Sequence, residues 1–515
     1  MITDSFDAGA VKFPDRVCLQ DSNTRLTYRE VESDSHAVAF ALGELGLGDA
    51  HVGILTPNNL IGFVAMLGIL RSGATYVPLN GRDAIDDLIW FMHFTEVSAL
   101  VCHAQFAPHL ARIREGVPTL KVVIGLDEPV EEGGPCIAGW SRAHAGRRVA
   151  VRKPLDAVAQ IKSSGGTTGR PKAIMQTHRS LLAAYRIQNQ FAAPVKDPVH
   201  LVVAPLTHAA GATTMAMAIF GARNVLTPSP DAGGILEAIE REKVTHLFLT
   251  PTMIYRLLAH PDASRRDASS LECVMYGAAP MSVEKLREAL ALWGPVFFQA
   301  YGQAEVPGVI TCLSRSDHEV GDNPRHQKRL SSAGRPTGAC EVALMDDDGR
   351  IVGVGERGEI VAKGELVSPG YFNNPQANAD AHQFGWHHTG DIGEFDADGY
   401  LYIVDRKKDM IISGGFNIYP GEIEQVIWGH PAVQDCAVVG MPDQDWGERV
   451  TAVVELKPGQ SVDADELIAM CRQRLGSTKT PKQVVFWEAL PRSTVGKVLK
   501  KDIRAQFGAQ FGVKG

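Results

Sequence analysis

One stretch of small, hydroxyl-bearing and basic residues is the part of the chain best suited to chemistry. Residues 163–172 read Ser-Ser-Gly-Gly-Thr-Thr-Gly-Arg-Pro-Lys. Glycines let the backbone turn its N–H groups toward an anion, hydroxyls add donors, and Lys172 adds positive charge. A flexible surface loop can have a similar composition. We predict a polyphosphate-binding loop whose ligands include Ser164, Thr167, Thr168 and Lys172.

The spacing within this loop excludes one common class of phosphate-binding enzyme. A Walker A loop ends in Gly-Lys-Ser/Thr four residues after an earlier glycine, and residues 163–172 do not fit that spacing. Residues 353–358 fit a dinucleotide Gly-x-Gly-x-x-Gly pattern, but no strand–turn–helix context surrounds them. The sequence therefore favours neither an ordinary nucleoside triphosphatase nor a Rossmann dinucleotide site.

Further motifs follow the loop in a characteristic order. They are residues 301–305 (Tyr-Gly-Gln-Ala-Glu), 370–375, 386–391, 405–409, 413–424 and 491–497. Together with the loop they resemble the adenylate-forming superfamily, which includes acyl-CoA synthetases, firefly luciferase and the adenylation domains of peptide synthetases. The N-terminal third carries weaker matches at 26–28 and 73–80.

The resemblance implies a two-step reaction. A carboxylate attacks the α-phosphorus of ATP, pyrophosphate leaves, and a thiol such as that of CoA then displaces AMP from the acyl-adenylate. No protein nucleophile is needed, so catalysis would rest on positioning and charge stabilisation. The sequence agrees, because it has no Gly-x-Ser-x-Gly nucleophile elbow.

The resemblance also assigns catalytic roles. Lys497 would bridge the carboxylate and the α-phosphate, although an isolated lysine is more often a solvated surface residue. Glu305, with Thr168, would hold Mg²⁺, a hard ion that prefers oxygen ligands. His208 is the third residue that we assign to the catalytic set.

The nucleotide site follows from the same resemblance. Tyr301 would stack on adenine, and Asp391 and Arg406 would hold the ribose hydroxyls. Taken singly, each of these residues could equally be a core tyrosine or part of a salt bridge. The remaining residues assigned to ATP or AMP are Gly277, Ala278, Ala279, Gly302 and Gln303.

Two positions depart from the pattern of the superfamily. Ser or Thr usually stands where this chain has Gly165, and Thr where it has Ala304. Each missing charge-assisted hydrogen bond would be worth about 1.5–3 kcal/mol. We expect catalysis to persist with unusual phosphate handling.

The rhythm of apolar segments predicts an α/β fold. Short apolar runs alternate with helix-like segments at 52–55, 99–101, 122–124, 201–204, 246–249, 273–275 and 296–298. This alternation indicates parallel sheets flanked by helices, with ligands at the carboxyl ends of the strands. Turn-rich short strands around 340–405 indicate a small antiparallel, barrel-like part, and the last hundred residues form a small α+β domain.

We therefore expect two domains. Residues 1–405 would form an N-terminal adenylation domain that binds ATP and the acid. Residues 406–515 would form a mobile C-terminal domain, with the hinge at Lys408. Rotation there would withdraw the catalytic lysine and present Ser413, Gly414 and Gly415 to CoA.

The segment 205–212 bears on the acid substrate. Peptide-synthetase adenylation domains carry an aspartate near its start, and this chain has none, so an amino-acid ammonium would be left unpaired. We expect an aromatic, alicyclic or medium-to-long acyl carboxylate. The acyl pocket is assigned to His208, Ala209, Gly211, Gly277 and Ala304. Two alternatives remain, namely acyl transfer to a carrier-protein thiol and a non-catalytic nucleotide or acyl-adenylate binding protein.

Composition excludes several further classes. The net charge of −8 gives no footprint for nucleic acid. Eight cysteines without a Cys-x-x-Cys pair predict reduced thiols in a cytoplasmic protein. The N-terminus lacks the features of a signal peptide, and the longest apolar run, 60–70, falls short of the roughly 18 residues that span a membrane. We expect no export and no stable membrane insertion, and a homodimer remains open.

Overall fold

The computed structural model of the chain describes residues 1–164, 170–227, 231–319, 321, 323–493 and 497–511, without the side chains of 508–511. In these residues the helices are α1 (Thr3–Lys12), α2 (Tyr28–Glu44), α3 (Leu60–Ser72), α4 (Ile85–Phe94), α5 (Leu110–Gly116), α6 (Ile137–Ala143), α7 (His178–Phe191), α8 (Ala209–Met217), α9 (Ala232–Glu242), α10 (Pro251–Ala259), α11 (Val283–Trp293), α12 (Pro324–Arg329), α13 (Pro375–Ala381), α14 (Pro420–Trp428), α15 (Ala464–Leu475) and α16 (Lys500–Phe511).

The strands are β1 (Val17–Gln20), β2 (Arg25–Thr27), β3 (His51–Thr56), β4 (Thr75–Asn80), β5 (Ala99–Cys102), β6 (Val122–Gly125), β7 (Val158–Ser163), β8 (Ala173–Thr177), β9 (Val199–Val202), β10 (Arg223–Leu226), β11 (His246–Leu249), β12 (Cys273–Gly277), β13 (Phe297–Tyr301), β14 (Thr311–Leu313), β15 (Arg335–Pro336), β16 (Glu341–Met345), β17 (Arg357–Lys363), β18 (Gly370–Tyr371), β19 (His382–Gln383), β20 (Trp386–Phe395), β21 (Leu401–Arg406), β22 (Ile411–Ser413), β23 (Phe416–Ile418), β24 (Val433–Asp443), β25 (Gly447–Leu456) and β26 (Gln483–Trp487).

Two mainly parallel sheets form the bulk of the molecule. The first has the order β15-β14-β13-β12-β11-β9-β10-β1-β2, and the second has the order β18-β8-β7-β4-β3-β5-β6. The neighbours from β13 to β1, and from β7 to β6, run parallel, while β2, β8, β14, β15 and β18 pair antiparallel. The predicted parallel sheets are therefore confirmed.

The largest apolar core contains residues of both sheets and of helices α2, α3, α7 and α8. The outer face of the second sheet packs on α4 and α5, and that of the first on α9, α10 and α11. Local signals set these helices in place. Asn59 accepts hydrogen bonds from the first turn of α3, which is apolar on every side, and Gly73 ends that helix in the left-handed region with φ of 90°.

Two smaller sheets complete the chain. An antiparallel sheet of order β16-β17-β20-β19, with β21 on β20, matches the barrel-like part expected around 340–405. The last sheet has the order β23-β22-β25-β24 with β26 on β25, and α14, α15 and α16 pack on it. Strand pairing changes from one sheet to the other between Arg406 and Ile411. The division of the domains at residue 405 stays a prediction.

All eight cysteines are free and buried. No helix within the described ranges has both the length and the apolar character needed to cross a membrane.

Candidate active site

A cavity of about 1030 Å³ opens where strands of the two large sheets end. Residues that directly follow β9, β11, β12 and β13 line it, namely Val203, Thr250, Ala278 and Gly302. The end of β7 supplies a further wall. Parallel strands bring their carboxyl ends to one edge of a sheet, so the cavity lies where the sequence predicts a ligand site.

The two ends of the predicted phosphate loop are fastened together. The Ser164 N–H donates to the Lys172 carbonyl oxygen at 2.8 Å, and the Lys172 N–H donates to Ser164 Oγ at 2.9 Å. Both residues line the cavity, and Lys172 Nζ lies 4.5 Å from the centre of the Tyr371 ring. The loop between them, including Gly165 and the predicted ligands Thr167 and Thr168, lies outside the described residues.

Glu305 provides a carboxylate in the same cavity. One of its oxygens accepts a hydrogen bond from the Tyr371 hydroxyl at 3.0 Å. In the part of the chain that the structure describes, no three His, Cys, Asp or Glu side chains lie close enough together to hold a metal ion. A single carboxylate fits Mg²⁺ when phosphate oxygens supply the other ligands. Glu305 therefore suits a cation that arrives with a nucleotide.

Asp391 is the centre of a buried hydrogen-bonded group. Its Oδ2 accepts from the Tyr301 hydroxyl at 2.7 Å and from Gln303 Nε2 at 3.0 Å, while Arg406 Nε lies 3.5 Å from Oδ1. The pairing of β20 with β21 places Asp391 opposite Arg406. Burial raises the pKa of Asp391, and Arg406, Tyr301 and Gln303 oppose that rise.

Tyr301 and Asp391 are both buried, behind the described residues that line the cavity, whereas Gln303 and Arg406 line it. The structure thus gives the Tyr301 hydroxyl a specific partner that sequence reasoning did not predict. Stacking of its ring on adenine stays a prediction.

Lys497 reaches the cavity from the C-terminal part of the chain. Its N–H donates to Ser493 Oγ at 3.1 Å, and its carbonyl oxygen accepts from the Ser493 N–H at 2.8 Å. Burial lowers the pKa of Lys497, the charge of Arg406 adds to this, and Asp391 and Glu305 oppose it. Three other residues assigned to catalysis and ribose binding, Arg406, Asp391 and Glu305, therefore lie close enough for their charges to act on Lys497.

Lys162 of β7 is a further lysine that lines the cavity, and sequence reasoning did not predict it. Burial lowers its pKa to about 8, with a further contribution from the charge of Lys497. The charge of Lys162, followed by burial and by Lys497, lowers the pKa of His208 to about 3. His208 is therefore neutral at pH 7. The signal that could have revealed Lys162 is its place, two residues after Gln160 and on the same face of the strand that leads into the phosphate loop.

Comparison with known proteins identifies the family. The model of the AMP-binding enzyme family matches residues 6–372, and that of the AMP-binding enzyme C-terminal domain matches residues 422–497. The chain belongs to the AMP-binding enzyme family. The resemblance inferred from the motifs is thereby confirmed.

Relatives of this AMP-binding enzyme extend over nearly its whole length. The medium/long-chain-fatty-acid–CoA ligase FadD8 of Mycobacterium tuberculosis is 37% identical over 500 residues, which cover 94% of this chain and 86% of the relative. Feruloyl-CoA synthase of an Amycolatopsis species is 36% identical over 507 residues, 96% of each chain. The solved structure of the amide bond synthetase McbA from Marinactinospora thermotolerans has a TM-score of 0.89 and 28% identity, covering 98% of this chain and 100% of the other.

The residues predicted to form the acyl pocket lie in two kinds of surroundings. His208, Ala209, Gly211 and Ala304 line the cavity. Gly277 is not among the described lining residues, and it lies close to β13, where an added Cβ would be 2.2 Å from the Ala300 carbonyl oxygen. The assignment of these residues to the acyl pocket stays a prediction.

The next two residues, Ala278 and Ala279, differ in whether they line the cavity. Ala278 lines the cavity in the left-handed region, with φ of 67°, which is unusual for a residue with a Cβ. Ala279 is not among the described lining residues.

The predicted hinge and the predicted CoA segment lie in different surroundings. Lys408 belongs to a short 3₁₀ helix, Lys407–Asp409, and lines the cavity, and burial lowers its pKa. Ser413, Gly414 and Gly415 lie at the turn between β22 and β23, outside the described cavity wall. Both glycines are left-handed, with φ of 58° and 80°. Their roles stay predictions.

Proposed function

We propose that this AMP-binding enzyme is an ATP-dependent acid–CoA ligase. The observation that carries this proposal is the position of Lys497, which lines the same cavity as Glu305 and the ends of the phosphate loop. A protein that only binds nucleotides has no use for a transfer lysine at this place. The reactions named for the relatives, fatty-acid–CoA ligation and feruloyl-CoA synthesis, support the same class.

In the first half-reaction the substrate carboxylate attacks the α-phosphorus of ATP and pyrophosphate leaves. Lys497 neutralises charge that develops between the carboxylate and the α-phosphate. Ser164 and Lys172 hold the departing phosphates, and Asp391 accepts the ribose hydroxyls. Burial and the hydrogen bond from the Tyr301 hydroxyl hold the Asp391 carboxylate in a fixed orientation. Less entropy is therefore lost when the nucleotide binds.

Magnesium would be held by Glu305 together with phosphate oxygens. It would supply charge neutralisation on the pyrophosphate side. Support comes from the single carboxylate in the cavity wall, whose second oxygen has no partner in the described part of the chain.

In the second half-reaction CoA displaces AMP. We propose that the C-terminal region rotates about Lys408 and carries Lys497 out of the cavity. Described polar contacts between the two regions include Arg357 to Glu422 at 3.0 Å, Gln425 Nε2 to the Met281 carbonyl oxygen at 3.2 Å and Arg492 Nη1 to Thr252 Oγ1 at 3.4 Å. The movement would break these contacts. The left-handed Gly414 and Gly415 would then offer backbone that the pantetheine arm can approach closely.

The acid is proposed to be aromatic, alicyclic or of medium to long chain length. The cavity continues from the catalytic residues to apolar residues of α3 and α7, among them Met66, Leu70 and Leu181. Such walls suit a large apolar acyl group. The eight buried free cysteines support a reducing, cytoplasmic location.

Product analysis would test the proposal. Purified protein would be incubated with ATP, Mg²⁺, a mixed library of acids and CoA, and acyl-CoA, AMP and pyrophosphate would be identified by mass spectrometry. Acyl-CoA formed in step with AMP is the expected result. Parallel reactions with a phosphopantetheinylated carrier protein and with a primary amine would reveal another acceptor. Binding of ATP without any acyl-AMP in all three reactions would reject the proposal.

A further inference from the structure

Lys162 occupies a special place in the cavity wall. Side chains alternate along a strand, and Gln160 and Lys162 of β7 both line the cavity, whereas Ile161 is buried in the core beneath α4 on the opposite face of the sheet. Gln160 is hydrogen-bonded to Gln176 on the neighbouring strand. The strand therefore presents one amide and one ammonium group to the ligand.

Lys162 has no anionic partner among the residues that the structure describes. No ion pair or hydrogen bond of its side chain occurs there. The groups that act on it from the elements around it are Lys497, which is also cationic, and His208, which is neutral at pH 7. A buried cation is costly unless an anion pairs with it. Lys162 is partly exposed to the cavity, so an anionic ligand bound there could supply this pairing.

The neighbours of Lys162 indicate which part of the ligand this is. His208 directly precedes α8, whose residues Ala209 and Gly211 line the cavity and are assigned to the acyl pocket. The other neighbour, Lys497, is the proposed transfer lysine. Lys162 thus shares the corner of the cavity in which the carboxylate and the α-phosphate must meet.

We propose that Lys162 binds the reacting carboxylate of the acid substrate and holds the same oxygen through both half-reactions. This inference rests on the proposed acid–CoA ligase function. In the first step one carboxylate oxygen forms the bond to the α-phosphorus, and pyrophosphate leaves with the electron pair of the broken P–O bond. The second oxygen stays on the Lys162 ammonium and becomes the carbonyl oxygen of the acyl-adenylate.

The second step uses the same contact. The CoA thiol gives its proton to solvent, and the thiolate adds to the carbonyl carbon. Lys162 stabilises the negative charge that this oxygen acquires. The carbon–oxygen bond to AMP then breaks, and AMP leaves with the electron pair. Because Lys162 belongs to a strand of the large second sheet, it stays in place when the C-terminal region carries Lys497 away.

Lys162→Met tests the proposal, because methionine keeps most of the apolar stem and removes the charge. We expect the KM for octanoate and for cinnamate in a hydroxamate assay to rise roughly 10- to 150-fold, because one charge-assisted hydrogen bond to the carboxylate is lost. The KM for ATP should change little, since Ser164 and Lys172 are proposed to hold the phosphates. Lys172→Met is the matched control, in which the KM for ATP should rise instead.

The second half-reaction distinguishes the proposed role of Lys162 from that of Lys497. Preformed octanoyl-AMP should react with CoA at least about tenfold more slowly in Lys162→Met, because the oxyanion loses its cation. It should react at an unchanged rate in Lys497→Ala. An unchanged KM for both acids, or unchanged thioester formation, would overturn the proposal. So would a loss confined to octanedioate, since Lys162 would then bind a second carboxylate on the acyl chain.

Calorimetric binding of octanoate keeps this test independent of turnover. At pH 8 Lys162 is about half protonated in the free protein, and pairing with a carboxylate should draw about half a proton from the buffer. Lys162→Met should lose this uptake, whereas Lys497→Ala should keep a smaller part of it, because removal of the Lys497 charge raises the pKa of Lys162. If the wild type forms no acyl hydroxamate, the proposed ligase function is rejected. The proton uptake on octanoate binding then still tests whether Lys162 binds a carboxylate. Equal uptake in wild type and Lys162→Met would reject it.

Discussion

Removal of the Tyr301 hydroxyl should weaken the nucleotide site by making Asp391 a poorer anion. In the wild type that hydroxyl donates to Asp391 at 2.7 Å, and both side chains are buried. After Tyr301→Phe the carboxylate keeps Gln303 at 3.0 Å and Arg406 at 3.5 Å. No other donor in the described part of the chain takes the place of the hydroxyl.

The size of the effect follows from the charge on the acceptor. A hydrogen bond to a charged group contributes about 1.5–3 kcal/mol, which corresponds to about 10- to 150-fold in a rate or binding constant. Because Gln303 and Arg406 remain, we expect the lower part of that range for the fall in kcat/KM for ATP.

The pH dependence should move as well. Only the ionised Asp391 can accept both ribose hydroxyls, so activity falls at low pH as this carboxylate is protonated. Burial already raises the pKa of Asp391, and loss of a donor that stabilises the anion raises it further. The acid limb of kcat/KM should therefore shift to higher pH in Tyr301→Phe.

The assay is ATP–pyrophosphate exchange between about pH 3.5 and pH 8, a range that includes both the ordinary carboxyl pKa of about 3.9 and raised values. Tyr276→Phe is the matched control, since Tyr276 is buried on the adjacent strand β12 and its hydroxyl contacts His318 Nε2 at 3.0 Å, away from the described cavity wall. The control should keep the wild-type acid limb, whatever its effect on stability. The reasoning is refuted if Tyr301→Phe keeps that limb too.

Three further predictions follow from the site and its surroundings. Lys497→Ala should abolish acyl-adenylate formation, measured by pyrophosphate exchange, and leave thioester formation from preformed acyl-adenylate intact; equal loss of both steps would contradict its role. Lys408→Pro should do the reverse, because proline fixes φ at the hinge, and unchanged CoA-dependent turnover would place the hinge elsewhere. Gly277→Ala should lower the free energy of unfolding by about 1–3 kcal/mol, since its Cβ would meet the Ala300 carbonyl oxygen at 2.2 Å. Thermal unfolding checks this, and a fully stable variant whose activity toward large acids alone is reduced would support the assignment of Gly277 to the acyl pocket.

The strands of the large sheets could be predicted from the sequence because their signal is local. The apolar run at 52–55 became β3, and the run at 246–249 became β11 with the same bounds. The helix expected at 60–70 became α3, whose buried position follows from its apolar character on every side. Such patterns need no knowledge of distant residues.

The order of the strands within the sheets could not be predicted in the same way. For example, β1 pairs with β10, more than two hundred residues later in the chain. Nothing local in the sequence 17–20 encodes that partner, because parallel pairing depends on how the intervening helices pack.

Single residues of the site show the same limit. The family motif places Gly277 near the ligand, but the register of β12 on β13 turns its open side toward the Ala300 backbone. Tyr301 was expected at adenine, and only the fold reveals that its hydroxyl reaches Asp391, ninety residues away. Lys162 directly precedes the phosphate loop and belongs to none of the motifs. Only the structure shows that it lines the cavity.

The burial of the cysteines has a consequence for the proposed chemistry. An acyl-adenylate acylates any thiolate that reaches it, and the protein must survive many turnovers of such an intermediate. All eight cysteines are enclosed in the cores, and burial raises the pKa of most of them, including Cys102, Cys273 and Cys312. A thiol that is both inaccessible and protonated cannot compete as a nucleophile. The enzyme can therefore direct its activated acyl group to an incoming thiol without modifying its own.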